Sequence, residues 1–550
     1  MQFIFLVLLL SVPPSAPPPP ADLILLSAKV WTGDPARPEA QALAVRAGRV
    51  AAVGTNAEIE LLRGPDTRVL DGAGRRVVPG LIDSHTHVAM GGFDLLAMDL
   101  RRTKDPAEFT KIVADYAKTR PSGVWMTDGA WDHEQWTPPR LPTKELLDPA
   151  TGDRPACFSR QDGHMCVCNS LALKLAEITR DTPDPPGGVI VRDAKGEPTG
   201  VLKDAAMDAI SAVRPPRKPA ELLEAFRAAM KHAASVGVTS VQDLPGEPGD
   251  LDAWDSLRRS GELTVRVTYR PSLSAWEKAL ERRASMTNDE WLRIGGVKGY
   301  ADGSLGSTTA LFFEPYSDDK STRGVYASEA IPISRMEERV RGADRAGLQV
   351  VIHAIGDRAN SEILDLFERV AKANGPRDRR FRIEHAQHLR AADIPRFARL
   401  GVIASMQPYH AIDDGRWAEK RIGRERCRTT YAFRSILDAG GRLAFGSDWD
   451  VAPLSPIAGI DAAVTRRTID GKNPKGWFPE QAISVREALK AYTADAAWSA
   501  FEENEKGSLS AGKLADFVVL SRDILSIPAD QIVDAKVDAT VVGGKIVFSR

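Results

Sequence analysis

The 550-residue sequence has little of what marks the special classes of protein. Its four cysteines are too few for a disulfide scaffold, and aromatic residues make up only 7%. Lys and Arg total 73 against 74 for Asp and Glu, so there is no excess charge to attract nucleic acid or an anionic membrane. Hydrophobic residues at 43% match ordinary globular usage. The composition therefore excludes collagenous, disordered and multi-span membrane proteins and predicts a soluble protein that does not bind nucleic acid.

One apolar run near the N-terminus indicates targeting. Residues 3–11 are apolar, prolines follow them, and the run is short for a membrane-spanning helix. This pattern predicts a signal peptide and linker over residues 1–21, and hence a periplasmic or secreted protein with no stable membrane span. No Lys or Arg precedes the run, so the start is atypical and a cytoplasmic location stays the alternative.

Both ends of the remaining chain contain short apolar runs broken by glycines. These runs occupy residues 22–78 and 500–550, where Gly543 and Gly544 indicate a turn between two strands. Neither end is large enough to fold alone. We therefore expect the two ends to combine into one small β-sandwich domain.

Between these ends, apolar runs alternate with segments that have helical spacing. Eight such runs, the first at residues 77–82, predict an α/β protein with a (β/α)8 TIM-like barrel over residues 79–499. Residues 97–221 exceed what such a barrel needs. We predict that they form a subdomain inserted after strand one, and that this subdomain covers the mouth of the barrel.

Side chains that can bind metal stand at the ends of several of these runs, and a lysine ends the fourth. They are His85, His87, Lys298, His353, His385 and Asp448. The first two histidines are two residues apart, so they share one face of a strand, and the later spacings fit whole βα units. Imidazoles with a carboxylate suit Zn²⁺, with Mn, Fe, Co and Ni also open. Unrelated core histidines are the alternative.

The same six positions match the ligand motifs of a known family. The sequence resembles the metal-dependent amidohydrolase superfamily, in particular the branch that contains N-substituted formamide deformylase, over nearly the whole chain up to residues 512–516. The resemblance implies two divalent metal ions bridged by a carbamylated Lys298. A bare ammonium beside two dications would be repelled, which also favours modification of Lys298. A solvated lysine at the end of a strand is the alternative.

The resemblance implies hydrolysis of a non-peptide C–N bond, amide or formamide-like, in a small molecule. A metal-bridging hydroxide would attack the carbonyl, and Asp448, the catalytic residue, would carry the proton to the leaving nitrogen. Two alternatives stay open, a deaminase with a single metal ion and a binding or regulatory protein that keeps the fold without turnover. A homo-oligomer is possible, and the sequence does not decide it.

Four further side chains are candidates for substrate binding. His164 lies in the inserted segment, Asp302 and Ser304 lie in the long loop after Lys298, and Trp449 follows Asp448. For His164, a structural histidine is the alternative, and for Trp449 it is ordinary core packing.

The remaining histidines and cysteines are given structural roles by the sequence. His133, His232, His388 and His410 have no partner pattern, so we expect them to be structural or to lie at the surface. Cys166 and Cys168 lack the spacing of a zinc knuckle and are interpreted as buried apolar fillers.

Overall fold

The structure, a computed structural model, describes residues 19–127 and 129–550. The predicted signal peptide therefore lies outside the described residues as far as residue 18. Within these two ranges, no helix combines the length and the hydropathy needed to cross a membrane.

The described ranges contain twenty-three strands and nineteen α-helices. The N-terminal part comprises β1 (Leu23–Leu26), β2 (Lys29–Trp31), β3 (Glu39–Ala40), β4 (Ala42–Arg46), β5 (Arg49–Gly54), α1 (Asn56–Glu60), β6 (Arg68–Asp71) and β7 (Arg76–Pro79). Next come β8 (Leu81–Thr86), α2 (Val88–Leu96), α3 (Pro106–Ala117), α4 (Lys144–Thr151), β9 (Cys157–Ser159), β10 (Met165–Cys168), α5 (Ser170–Leu175), β11 (Gly188–Arg192), β12 (Pro198–Asp204) and α6 (Asp208–Val213).

The rest of the chain alternates helices and strands before it ends in three strands. The alternating part comprises α7 (Pro219–Ser235), β13 (Val238–Asp243), α8 (Asp250–Arg259), β14 (Arg266–Tyr269), α9 (Trp276–Ser285), β15 (Leu292–Ile294), β16 (Val297–Tyr300), α10 (Ile333–Arg345), β17 (Val350–Ala354), α11 (Asp357–Asn374), β18 (Arg382–His385), α12 (Ile394–Leu400) and β19 (Ile403–Met406). It continues with α13 (Pro408–Asp414), α14 (Ala418–Ile422), α15 (Arg424–Cys427), α16 (Phe433–Asp438), β20 (Arg442–Phe445), α17 (Pro456–Thr465), α18 (Val485–Ala491) and α19 (Ala494–Ser499). The final strands are β21 (Phe517–Leu520), β22 (Val537–Val542) and β23 (Lys545–Ser549).

Strands from both ends of the chain share one sheet. Its six strands have the order β23-β22-β21-β7-β2-β3, and β21 pairs antiparallel with β7, with Phe517 opposite Pro79. A second sheet has the order β5-β4-β1-β6. Apolar side chains of both sheets, among them Leu43 and Phe517, form one buried cluster. The two ends of the chain are therefore held together by strand pairing and by a common core.

The strands that carry the candidate ligands form two parallel sheets, ordered β15-β14-β13-β8 and β16-β17-β18-β19-β20. Only Gly295 and Gly296 separate β15 from β16, and a Cβ at Gly296 would lie 2.3 Å from a backbone oxygen. At the other edges, a parallel bridge joins Thr86, the last residue of β8, to Trp449, which lies beyond β20. Helices connect most successive strands, which confirms the α/β class.

The inserted segment contains an antiparallel sheet of its own, ordered β11-β12-β10-β9. Cys157 on β9 lies directly opposite Cys168 on β10, with 4.0 Å between the Cα atoms, and the two form a disulfide. The interpretation of Cys168 as an apolar filler is therefore wrong, because the strand pairing places it against another cysteine. Cys166 and Cys427 are free and buried.

Candidate metal centre

The six predicted metal-binding positions line one cavity at the carboxyl ends of the parallel strands. They are His85, His87, Lys298, His353, His385 and Asp448. In parallel α/β folds this edge of the sheet carries the functional groups, because the strand ends point their side chains into a common space. The structure therefore brings together all six residues that the sequence selects.

Short distances connect the ligands of the first and last strands. The Nε2 atom of His85 lies 3.1 Å from Oδ1 of Asp448, and Nε2 of His87 lies 3.5 Å from the same oxygen. His85, His385 and Asp448 each offer one ligand atom within 4.8 Å of the others. The ring centroids of His353 and His385 are 4.6 Å apart. The histidines therefore form a continuous row along the cavity floor.

Four buried polar atoms of this row have no hydrogen-bond partner among the described residues. They are Nε2 of His85, Nδ1 of His87, Nδ1 of His385 and Nζ of Lys298. Buried polar groups are nearly always satisfied, so four orphaned atoms in one cavity need an explanation. Divalent metal ions would take the imidazole lone pairs, and the donor set is one that such ions prefer. The residues therefore fit the metal ions that the resemblance implies.

The electrostatics of the cavity keep the imidazoles of the metal-binding row neutral. Burial, together with the neighbouring charge of Lys298, lowers the pKa of His87 to about 3. Burial also lowers the pKa values of His85 and His385 well below the usual range. For Asp448, burial raises the pKa of the carboxyl well above its usual range despite the charge of Lys298, so ionisation would need a further cation beside it. Neutral imidazoles and an ionised carboxylate are the forms that bind metal.

A carboxylate behind the row fixes the orientation of His85. Oε2 of Glu384 lies 2.6 Å from Nδ1 of His85, and Arg382 forms an ion pair of 2.8 Å with the other oxygen of Glu384. The proton of His85 therefore sits on Nδ1, which leaves the Nε2 lone pair facing the cavity. Glu384 is not among the site residues that the sequence predicts. Glu384 directly precedes His385 in β18, and this position was the feature of the sequence that could have identified it.

Two of the candidate ligands have strained backbones. His385 has a φ of 71° and Asp448 a φ of 59°. Left-handed conformations in residues other than glycine cost about 1–3 kcal/mol and cluster at active sites, where the surrounding structure enforces them. The strain occurs at the last residue of β18 in His385 and three residues beyond the end of β20 in Asp448. It turns both side chains toward the cavity.

Of the four predicted substrate-binding residues, His164 and Ser304 line the cavity. His164 places Nδ1 2.6 Å from Oδ1 of Asp204, and its ring lies 5.1 Å from that of His353. Burial alone would lower the pKa of His164, but the hydrogen bond and charge of Asp204 raise it to about 9. His164 is therefore a cationic hydrogen-bond donor beside the metal-binding row.

Asp302 is brought close to the site but not into it. Its carboxylate accepts hydrogen bonds from the backbone N–H groups of Leu311, Ile355 and Gly356, at 2.8 to 3.0 Å. It is fully buried, and it is not among the residues that line the main cavity. Asp302 therefore organises the loops that follow β16 and β17.

Trp449 lies away from the cavity. Its indole ring packs in an apolar cluster with Val88 and Phe226, and a Cβ at Gly91 of α2 would meet it at 2.5 Å. The left-handed backbone of the preceding residue turns the chain, so the two neighbouring side chains point in different directions. This position corresponds to the core-packing alternative.

His410, expected to be structural or at the surface, belongs to the cavity wall. Its Nε2 atom lies 3.9 Å from Oδ2 of Asp448, and its ring is parallel to that of His385. The expectation was wrong because His410 stands four residues beyond β19, at the same edge of the sheet as the ligands. Position after a parallel strand was the signal that could have found it.

Comparison with known proteins identifies the family of this chain. Residues 68–548 match the model of the amidohydrolase family. The chain belongs to this family. Protein LONG AFTER FAR-RED 3 of Arabidopsis thaliana is 40% identical to this amidohydrolase over 542 residues, which cover 96% of this chain and 92% of the relative. N-substituted formamide deformylase of Arthrobacter pascens is 28% identical over 548 residues, which cover 96% and 98%.

A solved structure extends the likeness to three dimensions. A metal-dependent hydrolase from Pyrococcus horikoshii OT3 superimposes on this amidohydrolase with a TM-score of 0.74 at 27% identity, over 92% of this chain and 99% of the other. The predicted membership of the metal-dependent amidohydrolase superfamily is confirmed. The names of the family and of these relatives support metal-dependent hydrolysis of C–N bonds as the general chemistry.

Proposed function

We propose that this amidohydrolase cleaves a non-peptide C–N bond, amide or formamide-like, in a small molecule. The observation that carries the proposal is the set of four orphaned buried atoms beside Asp448 in one cavity. We also propose that the two parallel sheets act as one (β/α)8 barrel, with β15 and β16 together as its fourth strand. The bridge between Thr86 and Trp449 supports this closure.

The ligand set divides between two metal positions. The residues at the ends of β8 and β20 would hold one ion, and His353 and His385 would hold the other. His353 supports this assignment, because its Nε2 lies 3.1 Å from the carbonyl oxygen of Gly303, which can only accept, so Nδ1 stays free for a metal. We propose Zn²⁺ on the basis of the donor set. Such ions, when bound, lower the pKa of water and polarise a carbonyl group.

Two side chains would then transfer the proton and stabilise the developing negative charge. Asp448, beside the metal-binding row, would accept a proton from the attacking water and return it to the leaving nitrogen. His164, held protonated by Asp204, would donate a hydrogen bond to the oxygen of the substrate carbonyl as negative charge develops there. Both roles follow from groups that point into the same cavity.

Lys298 would bridge the two metal positions as a carbamate. Its Nζ atom is buried without a hydrogen-bond partner, a costly place for an ammonium group. For carbamylation the ammonium first loses one proton, and the neutral amine then forms a bond between Nζ and the carbon of CO2 and loses a second, so that a cation becomes an anion and two protons are released. The new carboxylate supplies two oxygens, and each can contact one metal ion.

The test is metal content and hydrolysis in Lys298→Ala. We expect two ions per chain in the wild type by elemental analysis, and in Lys298→Ala fewer ions with activity lower by at least about 100-fold across a panel of amides, formamides and lactams. Lys111→Ala, an exposed lysine paired with Asp115, is the control. Full metal content and turnover in Lys298→Ala would refute the bridge. One ion per wild-type chain would favour the deaminase, and full metal content without hydrolysis would favour a non-catalytic protein.

We further propose that the protein is exported. The apolar run at residues 3–11 and the disulfide between Cys157 and Cys168 support this, because disulfides persist in oxidising compartments. Cell fractionation with N-terminal sequencing of the product is the test. A product that keeps residues 1–21 and stays with the cytoplasmic fraction would contradict export.

A further inference from the structure

Three cysteines of the inserted segment place their sulfur atoms together. One ligand atom from each of Cys157, Cys166 and Cys168 lies within 4.8 Å of the other two, and Sγ of Cys166 is 3.6 Å from Sγ of Cys168. The arrangement follows from the sheet. Cys168 faces Cys157 across the antiparallel pair, and Cys166 lies two residues earlier on the same face of β10.

A disulfide needs only two of these residues. The cluster is enclosed by apolar side chains, including Leu173, Ile190 and Leu202, and all three cysteines are buried. Burial raises the pKa of the Cys166 thiol to about 12, so it is not a free nucleophile. The third sulfur is therefore held against the pair without a role in the disulfide or in catalysis.

We propose that the reduced cluster binds one soft divalent cation, such as Zn²⁺, through the sulfurs of Cys157, Cys166 and Cys168, and that the Cys157–Cys168 disulfide closes this site. Thiolate ligands select soft and borderline cations. The metal-binding form of cysteine is the thiolate, so three of them give a divalent ion one net negative charge, in place of the three that bare thiolates would carry in these apolar surroundings. Three sulfurs leave one position of a tetrahedral site for a further ligand.

Reduction of the disulfide converts the closed form of the cluster into the metal-binding form. A dithiol reductant donates two electrons, the bond between the sulfurs of Cys157 and Cys168 breaks, and each sulfur takes up one proton while the reductant becomes its own disulfide. Binding of the cation by all three sulfurs then displaces three thiol protons. The site is therefore available only to reduced protein.

The cluster is separate from the metal centre in the main cavity. The cavity is lined by imidazole, carboxylate and lysine groups, and none of the three cysteines is among its described lining residues. The strands nevertheless connect the two places, because His164 immediately precedes β10 and Asp204 is the last residue of β12. The chemistry of the ligands, sulfur in one and nitrogen and oxygen in the other, allows the two to be measured independently.

The experiment titrates the full-length protein with Cd²⁺ in the absence of oxygen, before and after treatment with dithiothreitol and its removal. Thiolate-to-cadmium charge-transfer absorption in the ultraviolet reports sulfur ligands and does not arise from imidazole or carboxylate. We expect one equivalent of this signal after reduction and none before it, with Zn²⁺ competing for the same site. Cys166→Ser should weaken binding at least about tenfold, whereas Cys427→Ser, a free cysteine outside the cluster, should bind as the wild type does.

Three results would overturn the proposal. They are no charge-transfer signal in the reduced wild type, unchanged affinity in Cys166→Ser, and loss of the signal in Cys427→Ser. Should Cys166→Ser fail to fold, the reduced and unreduced wild type still test the site, because that comparison needs no variant. Alkylation of the unfolded chain followed by mass measurement should modify Cys166 and Cys427 alone before reduction, and modification of all four cysteines at that stage would refute the closed state.

Discussion

A buried ion pair between Arg266 and Asp516 joins the parallel sheet to the sheet that both chain ends share. Nε of Arg266 lies 2.7 Å from Oδ2 of Asp516 and Nη2 lies 3.0 Å from Oδ1, with both side chains at most 3% exposed. Removing one partner of such a pair costs about 3–5 kcal/mol, because the remaining charge stays buried. Arg266 keeps its hydrogen bond to the carbonyl of Glu290. We therefore expect Asp516→Ala to lower the free energy of unfolding by about 3 kcal/mol.

A solvent-exposed ion pair with the same geometry as the Arg266–Asp516 pair serves as the control. Arg227 and Glu262 form the same two-bond arrangement, at 2.7 and 3.1 Å, with side chains 50% and 40% exposed. Glu262→Ala should therefore cost less than about 1 kcal/mol. Urea unfolding followed by circular dichroism and by tryptophan fluorescence measures both losses, and Trp291 lies under the Arg266 guanidinium. Equal losses in the two variants would show that burial does not set the strength of this contact.

Two further predictions concern the surroundings of the metal centre. Gly91→Ala would place a Cβ 2.5 Å from the ring of Trp449 and should cost about 1–3 kcal/mol in urea unfolding, whereas Gly246→Ala, whose nearest neighbour is at 3.4 Å, should change stability by less than about 0.5 kcal/mol. Glu384→Gln removes the carboxylate that orients His85 and should weaken metal binding about 10- to 100-fold in chelator competition, and an unchanged affinity would mean that this contact does not orient the imidazole.

The sequence was sufficient to predict which side chains meet in the candidate metal centre because their positions depend on local pattern. In a parallel sheet a buried strand is an apolar run, and its carboxyl end lies at the functional edge. His85 and His353 end such runs, and the regular spacing of βα units places their strands in order along the sheet. The membership of the superfamily followed from the same positions.

The features that the sequence did not reveal depend on contacts between distant segments. Glu384 acts on His85, 299 positions away, and only the folded sheet brings the two together. The disulfide depends on the antiparallel register of β9 and β10, which places Cys157 opposite Cys168. Trp449 was misleading because its position directly after Asp448 does not bring its side chain into the cavity, and the indole belongs to an apolar cluster with Val88 and Phe226.

The six-stranded sheet has a consequence for biosynthesis. Its strand β7 runs through Gly80 into β8, yet one of its two neighbours is β21, near the other end of the polypeptide. A ribosome must therefore translate nearly the entire message before β7 can pair with both of its neighbours. Until then one edge of β7, the strand that leads through Gly80 to β8 and His85, has no partner strand. Nascent chains that stop before Phe517 should bind chaperones at this unpaired edge. Assembly of the candidate metal centre should therefore require that translation is complete.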